Sequence, residues 1–316
     1  MPNQRDPNLD RVILALALAA TLLLSWAFLY FTKIRYHFEW FTVFLGAFVG
    51  LIQIYVFLFL RILRRNPVSL TIALLGHPSA GKTVYLTVLF DELQRSQVPG
   101  IRFAPYGQET VERLATDITI LGKGGWLPRT ESGSVFYYRA YATLTGGLVR
   151  KRFKLEIGDF AGERLGELDS ADEKWLHKTE YFKYVIQSEA VLFAIDAHKL
   201  WTGPQTLVEE TQNAFVAALQ ILAEAKGVTE NRKLRAPVCL LFLKADLLLP
   251  DVDVDRLLSR VPRLAAICQQ RCLNFKSFLV SSVGHLGRDR TPPEHLEPRN
   301  VIDPIVWLLK RVSTET

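Results

Sequence analysis

Cysteine is scarce in this chain: three in 316 residues, Cys239, Cys268 and Cys272. They cannot all pair and none falls in a C-x-x-C motif, so a disulfide framework is excluded and buried thiols in a reducing compartment are expected. Cys268 and Cys272 share a helical face at i, i+4, but no histidine or third cysteine stands beside them to complete a metal site. The six histidines, His37, His77, His177, His198, His285 and His295, show no ligand spacing either. Serine, cysteine or metal-dependent hydrolase chemistry therefore has no support. Also missing is a Lys/Arg stripe interleaved with aromatics in a known module. Nucleic acid is thus not an expected partner, despite a net charge of +6.

Long apolar runs, by contrast, are present, and they raise the mean hydropathy to +0.13. Residues Val12 to Phe31 and Phe41 to Leu60 carry no charge, and each has about the ~20 residues a helix needs to cross a bilayer. Trp26, Tyr30 and Trp40 stand near the ends of these runs, where an interfacial belt is expected. The short link Thr32 to Glu39 joins them into a hairpin, giving a tail over 1–11 and a transmembrane hairpin over 12–63. Arg5 and Arg11 before the hairpin and Arg61, Arg64 and Arg65 after it favour both termini inside. The expectation is an integral cell-membrane protein with two spans and a cytoplasmic domain. Gly46 and Gly50 form G-x-x-x-G, and Ala15 and Ala19 offer a second small face. Such faces serve packing within the hairpin or a homodimer, and the sequence does not choose. From Arg64 to Val68 the tether reaches at most about 17 Å, which holds the following domain against the lipid surface.

The stretch around which the rest is organised is Gly76-His77-Pro78-Ser79-Ala80-Gly81-Lys82-Thr83, which reads G-x-x-x-x-G-K-T. It follows the apolar, β-prone run Ser69 to Leu75 and precedes a helical pattern through Val84, Leu86, Leu89, Phe90 and Leu93. Strand, loop and helix in that order are the context of a phosphate-binding loop. Gly76 and Gly81 allow backbone conformations that a Cβ would block, so the N–H groups from Gly76 to Val84 converge on phosphate oxygens. The helix beginning near Lys82 directs its positive end at the same anion. Lys82 is expected on the β/γ-phosphates and Thr83 on Mg²⁺. The side chains of His77 and Pro78 have no assigned chemistry.

Downstream, helical periodicity covers Gln108 to Leu121, and Trp126 to Gly133 is too rich in breakers for regular structure. Alternation over Val135 to Thr145 and Arg152 to Ile157 predicts an antiparallel hairpin. The second of these runs leads into Asp159-Phe160-Ala161-Gly162, placing a carboxylate at a strand end, where a magnesium-bound water is held. Three further buried strands are expected, ending at Asp196, at Lys244-Ala245-Asp246 and at Ser281-Ser282. Helices are expected over Gln205 to Ala225, Val254 to Leu273 and Val301 to Val312. The result is an α/β domain over 69–312, a mostly parallel sheet with helices on both faces, preceded by two transmembrane helices. Every motif lies at a strand's carboxyl end, where such sheets bind ligands.

The set Gly76-x-x-x-x-Gly81-Lys82-Thr83, Asp159-x-x-Gly162, Lys244-x-Asp246 and Ser281-Ser282 resembles the Ras-like P-loop GTPases of the translation-factor-related class. The wording Asp159-Phe160-Ala161-Gly162-Glu163, with Trp126 to Thr130 before the hairpin and Pro298 to Leu309 at the end, looks like bacterial GTPase-like families of conflict and multi-gene systems. The resemblance implies GTP/GDP with Mg²⁺ as cofactors. It further implies that Thr130 closes over the metal and γ-phosphate, and that the Gly162 N–H senses the γ-phosphate. Asp246 accepts from guanine N1 and N2, Lys244 lies along the base, and Ser281-Ser282 contact O6. Two departures stand out. Leu243 replaces the usual Asn or Thr before the lysine, weakening the case for guanine selectivity. Glu163 replaces a water-orienting glutamine, so slow hydrolysis is expected, with Arg129 a candidate internal arginine. The implied activity is a membrane-anchored GTP switch acting on a protein partner. A nucleotide-holding scaffold with little turnover and an ATP-using NTPase are the competing readings.

Overall fold

The structure is a computed structural model, and it describes residues 26–27, 30, 45–56, 67–95, 98–129, 135–145, 151–160, 180–229, 232–286 and 291–315. It divides into two compact units, 1–66 and 67–316. In the first unit every described residue is helical, and Trp26 stacks on Tyr30 at 5.6 Å. Among the described residues no helix is long and apolar enough to cross a membrane. Of the expected span 12–31 only residues 26–27 and 30 are described, and of the expected span 41–60 residues 45–56; the rest lies outside the described residues.

The second unit is one seven-stranded sheet with the order β2-β3-β4-β1-β5-β6-β7. Its strands are β1 (Val68–Gly76), β2 (Ile101–Pro105), β3 (Val135–Leu144), β4 (Lys151–Phe160), β5 (Ala190–Asp196), β6 (Val238–Leu243) and β7 (Phe275–Leu279). The pairs β1–β4, β1–β5, β5–β6 and β6–β7 are parallel. The pairs β2–β3 and β3–β4 are antiparallel. The helices are α1 (Lys82–Arg95), α2 (Gln108–Gly122), α3 (Glu180–Gln187), α4 (Ala197–Thr202), α5 (Gln205–Ala225), α6 (Val254–Arg260), α7 (Pro262–Arg271) and α8 (Asp303–Glu315).

Alternation along β1 sends Leu70, Ile72 and Leu74 to one face and Ala73 and Leu75 to the other, so the sheet has two cores. The first packs α1, α2 and α8 through Leu86, Phe90, Leu114, Ile305 and Leu308. The second packs α3 and α5 to α7 through Val185, Phe215, Leu219, Leu257 and Cys268. The three cysteines are free and buried, as expected.

The structure departs from the sequence expectation most clearly in four places, apart from shifts of two or three residues at the ends of β7 and α8. Strand β2 was not expected: it is a five-residue edge strand closed by Pro105, too short for periodicity to show. The expected helix Val254 to Leu273 is two helices, because Pro262 drives Val261 out of the helical region (φ −123°, ψ 56°). Helices α3 and α4 are additional short elements. Strand β4 continues past Ile157 to Phe160, because β3 pairs with it as far as Val135↔Phe160. Asp159 is therefore inside the strand rather than beyond it.

Candidate functional site

The phosphate-binding loop is shaped by close packing at one end and left-handed backbone at the other. A Cβ on Gly76 would lie 2.5 Å from the Ala194 carbonyl oxygen of β5, so no larger residue fits without separating the two strands. Ser79 (φ 60°) and Gly81 (φ 95°) turn the chain back into α1. Lys82, 7% exposed, folds over its own loop, its Nζ donating to Gly76 O at 2.8 Å and His77 O at 3.1 Å. Burial lowers its pKa from 10.5 to about 8, and the Asp159 carboxylate partly opposes that shift.

Parallel pairing of β1 with β4 sets Leu74 opposite Asp159, and the first turn of α1 brings Thr83 to the same point. The Thr83 hydroxyl donates to Asp159 Oδ2 at 2.8 Å. Burial raises the Asp159 pKa, against the Thr83 hydrogen bond and the Lys82 charge. Its Oδ1 is buried with no hydrogen-bond partner. An orphaned carboxylate oxygen beside a hydroxyl fits a hard divalent cation, which takes oxygen ligands and completes its shell with water and phosphate. Among the described residues no group of three or more His, Cys, Asp or Glu could hold a metal by itself.

His77 turns away from this centre. Its ring meets Phe215 of α5 edge-on at 5.7 Å, and burial, aided by Lys82, lowers its pKa. It contributes backbone to the cradle, and its side chain packs. Pro78 to Val84 all line the cleft.

At the other end of the cleft, Lys244 has left-handed backbone (φ 63°). Its Nζ donates to Ser79 O at 2.7 Å and to Asp196 Oδ2 at 2.6 Å. The Ser281 hydroxyl donates to Asp246 Oδ1 at 2.8 Å and itself accepts from the Gly284 N–H at 3.0 Å. Ser282 lies in the cleft wall. The cavity joining the two ends measures about 360 Å³, and Trp126 to Arg129, Phe160, Leu243, Leu247, Val283 and Leu286 complete its lining. That volume is in the range of a small-molecule site.

The structure thus brings together Gly76 to Val84, Asp159, Lys244, Asp246, Ser281 and Ser282. Thr130, Gly162 and Glu163 lie outside the described residues. Sequence reasoning missed Asp196 as the partner of Lys244. Its place at the end of an apolar strand was the available signal.

A phosphate cradle, an acidic group beneath its threonine and a Lys-x-Asp loop across a parallel sheet define a P-loop GTPase domain. The chain belongs to the Double-GTPase 2 family, whose family model matches residues 70–305. No curated protein matches it. Among solved structures it is similar to the Arl6 BBS3 small GTPase from Trypanosoma brucei with bound nucleotide analogue GppNp. The identity is 15% and the TM-score 0.42, over 79% of this chain and 100% of that one.

Proposed function

We propose that this protein is a membrane-anchored guanine-nucleotide switch that binds GTP with Mg²⁺, hydrolyses it slowly and thereby alters a surface offered to a protein partner. The observation that carries the nucleotide part is the single cleft lined by Gly81, Lys82 and Thr83 at one end and Lys244, Asp246 and Ser282 at the other. The guanine edge presents two donors, N1–H and N2–H, and a carboxylate accepts at two oxygens, a match that adenine lacks. Ser281 supports this by orienting the Asp246 carboxylate. Thr83 and Asp159 are the residues to hold Mg²⁺, which neutralises charge on the β- and γ-phosphates when bound. Thr130 and Gly162 are the groups whose ordering depends on the γ-phosphate, and Glu163 in place of glutamine accounts for slow turnover.

Fluorescent-nucleotide titration of the detergent-solubilised chain tests this. GTP and GDP should bind in the presence of Mg²⁺ at least about tenfold more tightly than ATP, and Asp246→Ala should erase that preference. Equal affinity for ATP would sink the guanine assignment. Binding without single-turnover hydrolysis would leave a nucleotide-held scaffold.

Anchoring is supported by the two uncharged runs and by the exposed face of the antiparallel strands. Register sets Arg102, Thr143 and Arg152 on one rung, and Ala104, Tyr141 and Lys154 on the next. The three basic residues are exposed. These rungs stand level with Val68, opposite Phe153, where the chain enters the sheet. An anionic leaflet attracts such a face. Gly46 and Gly50 are the proposed contact for a second copy. Alkaline carbonate washing should leave the chain in the membrane pellet, whereas release into the supernatant would reject the anchor.

A further inference from the structure

Lys244 stands at the end of β6 and points back across the cleft rather than out to water. A Cβ on Gly81 would lie 3.6 Å from its Cε, so the stem passes over the phosphate-binding loop. Two acceptors hold its ammonium: the Ser79 carbonyl at 2.7 Å and Asp196 Oδ2 at 2.6 Å. Asp196 is the last residue of β5, paired with Leu243 of β6, so the sheet itself sets the carboxylate beside the lysine. The Asp196 side chain is only 9% exposed. Its second oxygen accepts the Lys199 N–H at 3.0 Å, capping α4. Both oxygens are therefore engaged, and the carboxylate has a single orientation. The neighbouring position 243 carries leucine, buried at 1% exposure, which offers no hydrogen bond between the two loops.

We infer that Asp196 is a positioning residue for the nucleotide: it presses the Lys244 ammonium onto the Ser79 carbonyl and so latches the base-reading loop to the phosphate-binding loop. This rests on the reading of the cleft as a guanine-nucleotide site, and it assigns to Asp196 the tie that Leu243 cannot make. Charge-assisted hydrogen bonds at these distances are the strong class, and this pair is partly shielded from water. Asp246 follows Lys244 by two residues in a short 3₁₀ turn. Holding Lys244 therefore fixes the distance between base and phosphates. Opening the latch lets the two ends of a bound nucleotide lose registry, and the ligand leaves faster.

Asp196→Ser is the variant that isolates the latch, because serine caps a helix about as well as aspartate but is too short and uncharged to hold Lys244. In the full chain in detergent, release of N-methylanthraniloyl-GDP should accelerate about tenfold, from a variant that still unfolds cooperatively. Lys244→Ala combined with Asp196→Ser should release no faster than Lys244→Ala alone, since both act through one contact. Without nucleotide, acetic anhydride labelling of Lys244, read by mass spectrometry, should rise in Asp196→Ser. A release rate equal to wild type overturns the latch, whatever the labelling shows. If wild type binds no guanine nucleotide, the reading of the cleft fails on its own. The labelling then decides the latch, increased reactivity supporting it and unchanged reactivity overturning it.

Discussion

Lys82→Met should cost about a hundredfold or more in affinity for GTP and GDP, and at the same time make the nucleotide-free chain more stable. The loss follows from removing the ammonium proposed to contact phosphate oxygens, on the order of 3 kcal/mol for a charged hydrogen bond in a sheltered site. The gain follows from burial. Lys82 is held on two carbonyls at 7% exposure with a pKa lowered to about 8, so the folded chain carries the desolvation cost of a buried cation at neutral pH. The pH dependence has a definite sign. The unfolded chain keeps the proton up to about 10.5 while the folded chain releases it near 8. Across that interval the unfolded state binds more protons, and wild-type stability relative to Lys82→Met climbs as pH rises, by at most about 3 kcal/mol. Below about pH 8 the difference is flat and favours the variant. Denaturant melts of both proteins between pH 7 and 10.5 give the curve, and a difference that falls with pH would refute this account. Calorimetry gives the affinity.

Gly76→Ala should be as damaging by a different route. The added methyl would sit 2.5 Å from Ala194 O and 2.9 Å from Ala194 Cβ. Both belong to β5, which pairs with β1 at Gly76↔Ala194. The obstacle includes backbone, which cannot swing aside as a flexible side chain can. The strands must separate where the phosphate loop begins. Overpacking of this kind costs about 3 kcal/mol, and it displaces the loop proposed to hold the phosphates. A fall in the denaturation midpoint together with lost nucleotide binding is expected. Normal binding would show that the strand ends yield more readily than the packing implies. Gly81→Ala is a useful contrast, since its Cβ meets nothing nearer than 3.6 Å. There the difficulty is the left-handed φ of 95° alone.

The family membership explains why so much of the site was legible beforehand. Strand β6 and helix α5 have the bounds read from the sequence, Val238–Leu243 and Gln205–Ala225. One is an unbroken apolar run of strand length, the other a long pattern of helical period, and both are strong local signals. Strand β2 and the end of β4 were less visible because their partners, not their own residues, stabilise them. A short edge strand such as Ile101–Pro105 is held by β3, with Ile101 opposite Leu144. Likewise, the absence of a basic and aromatic stripe in the chain order concealed the neighbouring Arg102, Tyr141, Arg152 and Lys154, which register places side by side.

The phosphate-binding loop was determined by the sequence alone, because eight consecutive residues supply two glycines, a lysine and a threonine, and the helix they open follows directly. Its geometry depends on backbone freedom and a helix end, both local properties. Tertiary structure decided what meets that loop. Thr83 and Asp159 are 76 positions apart, Lys244 and Asp196 are 48 apart, and Lys244 and Ser79 are 165 apart. Each contact exists because β1 lies between β4 and β5 and β6 follows β5. Hydrophobic periodicity reports which residues enter a sheet but not which strand lies beside which, so partners across parallel strands emerge only once the chain has folded.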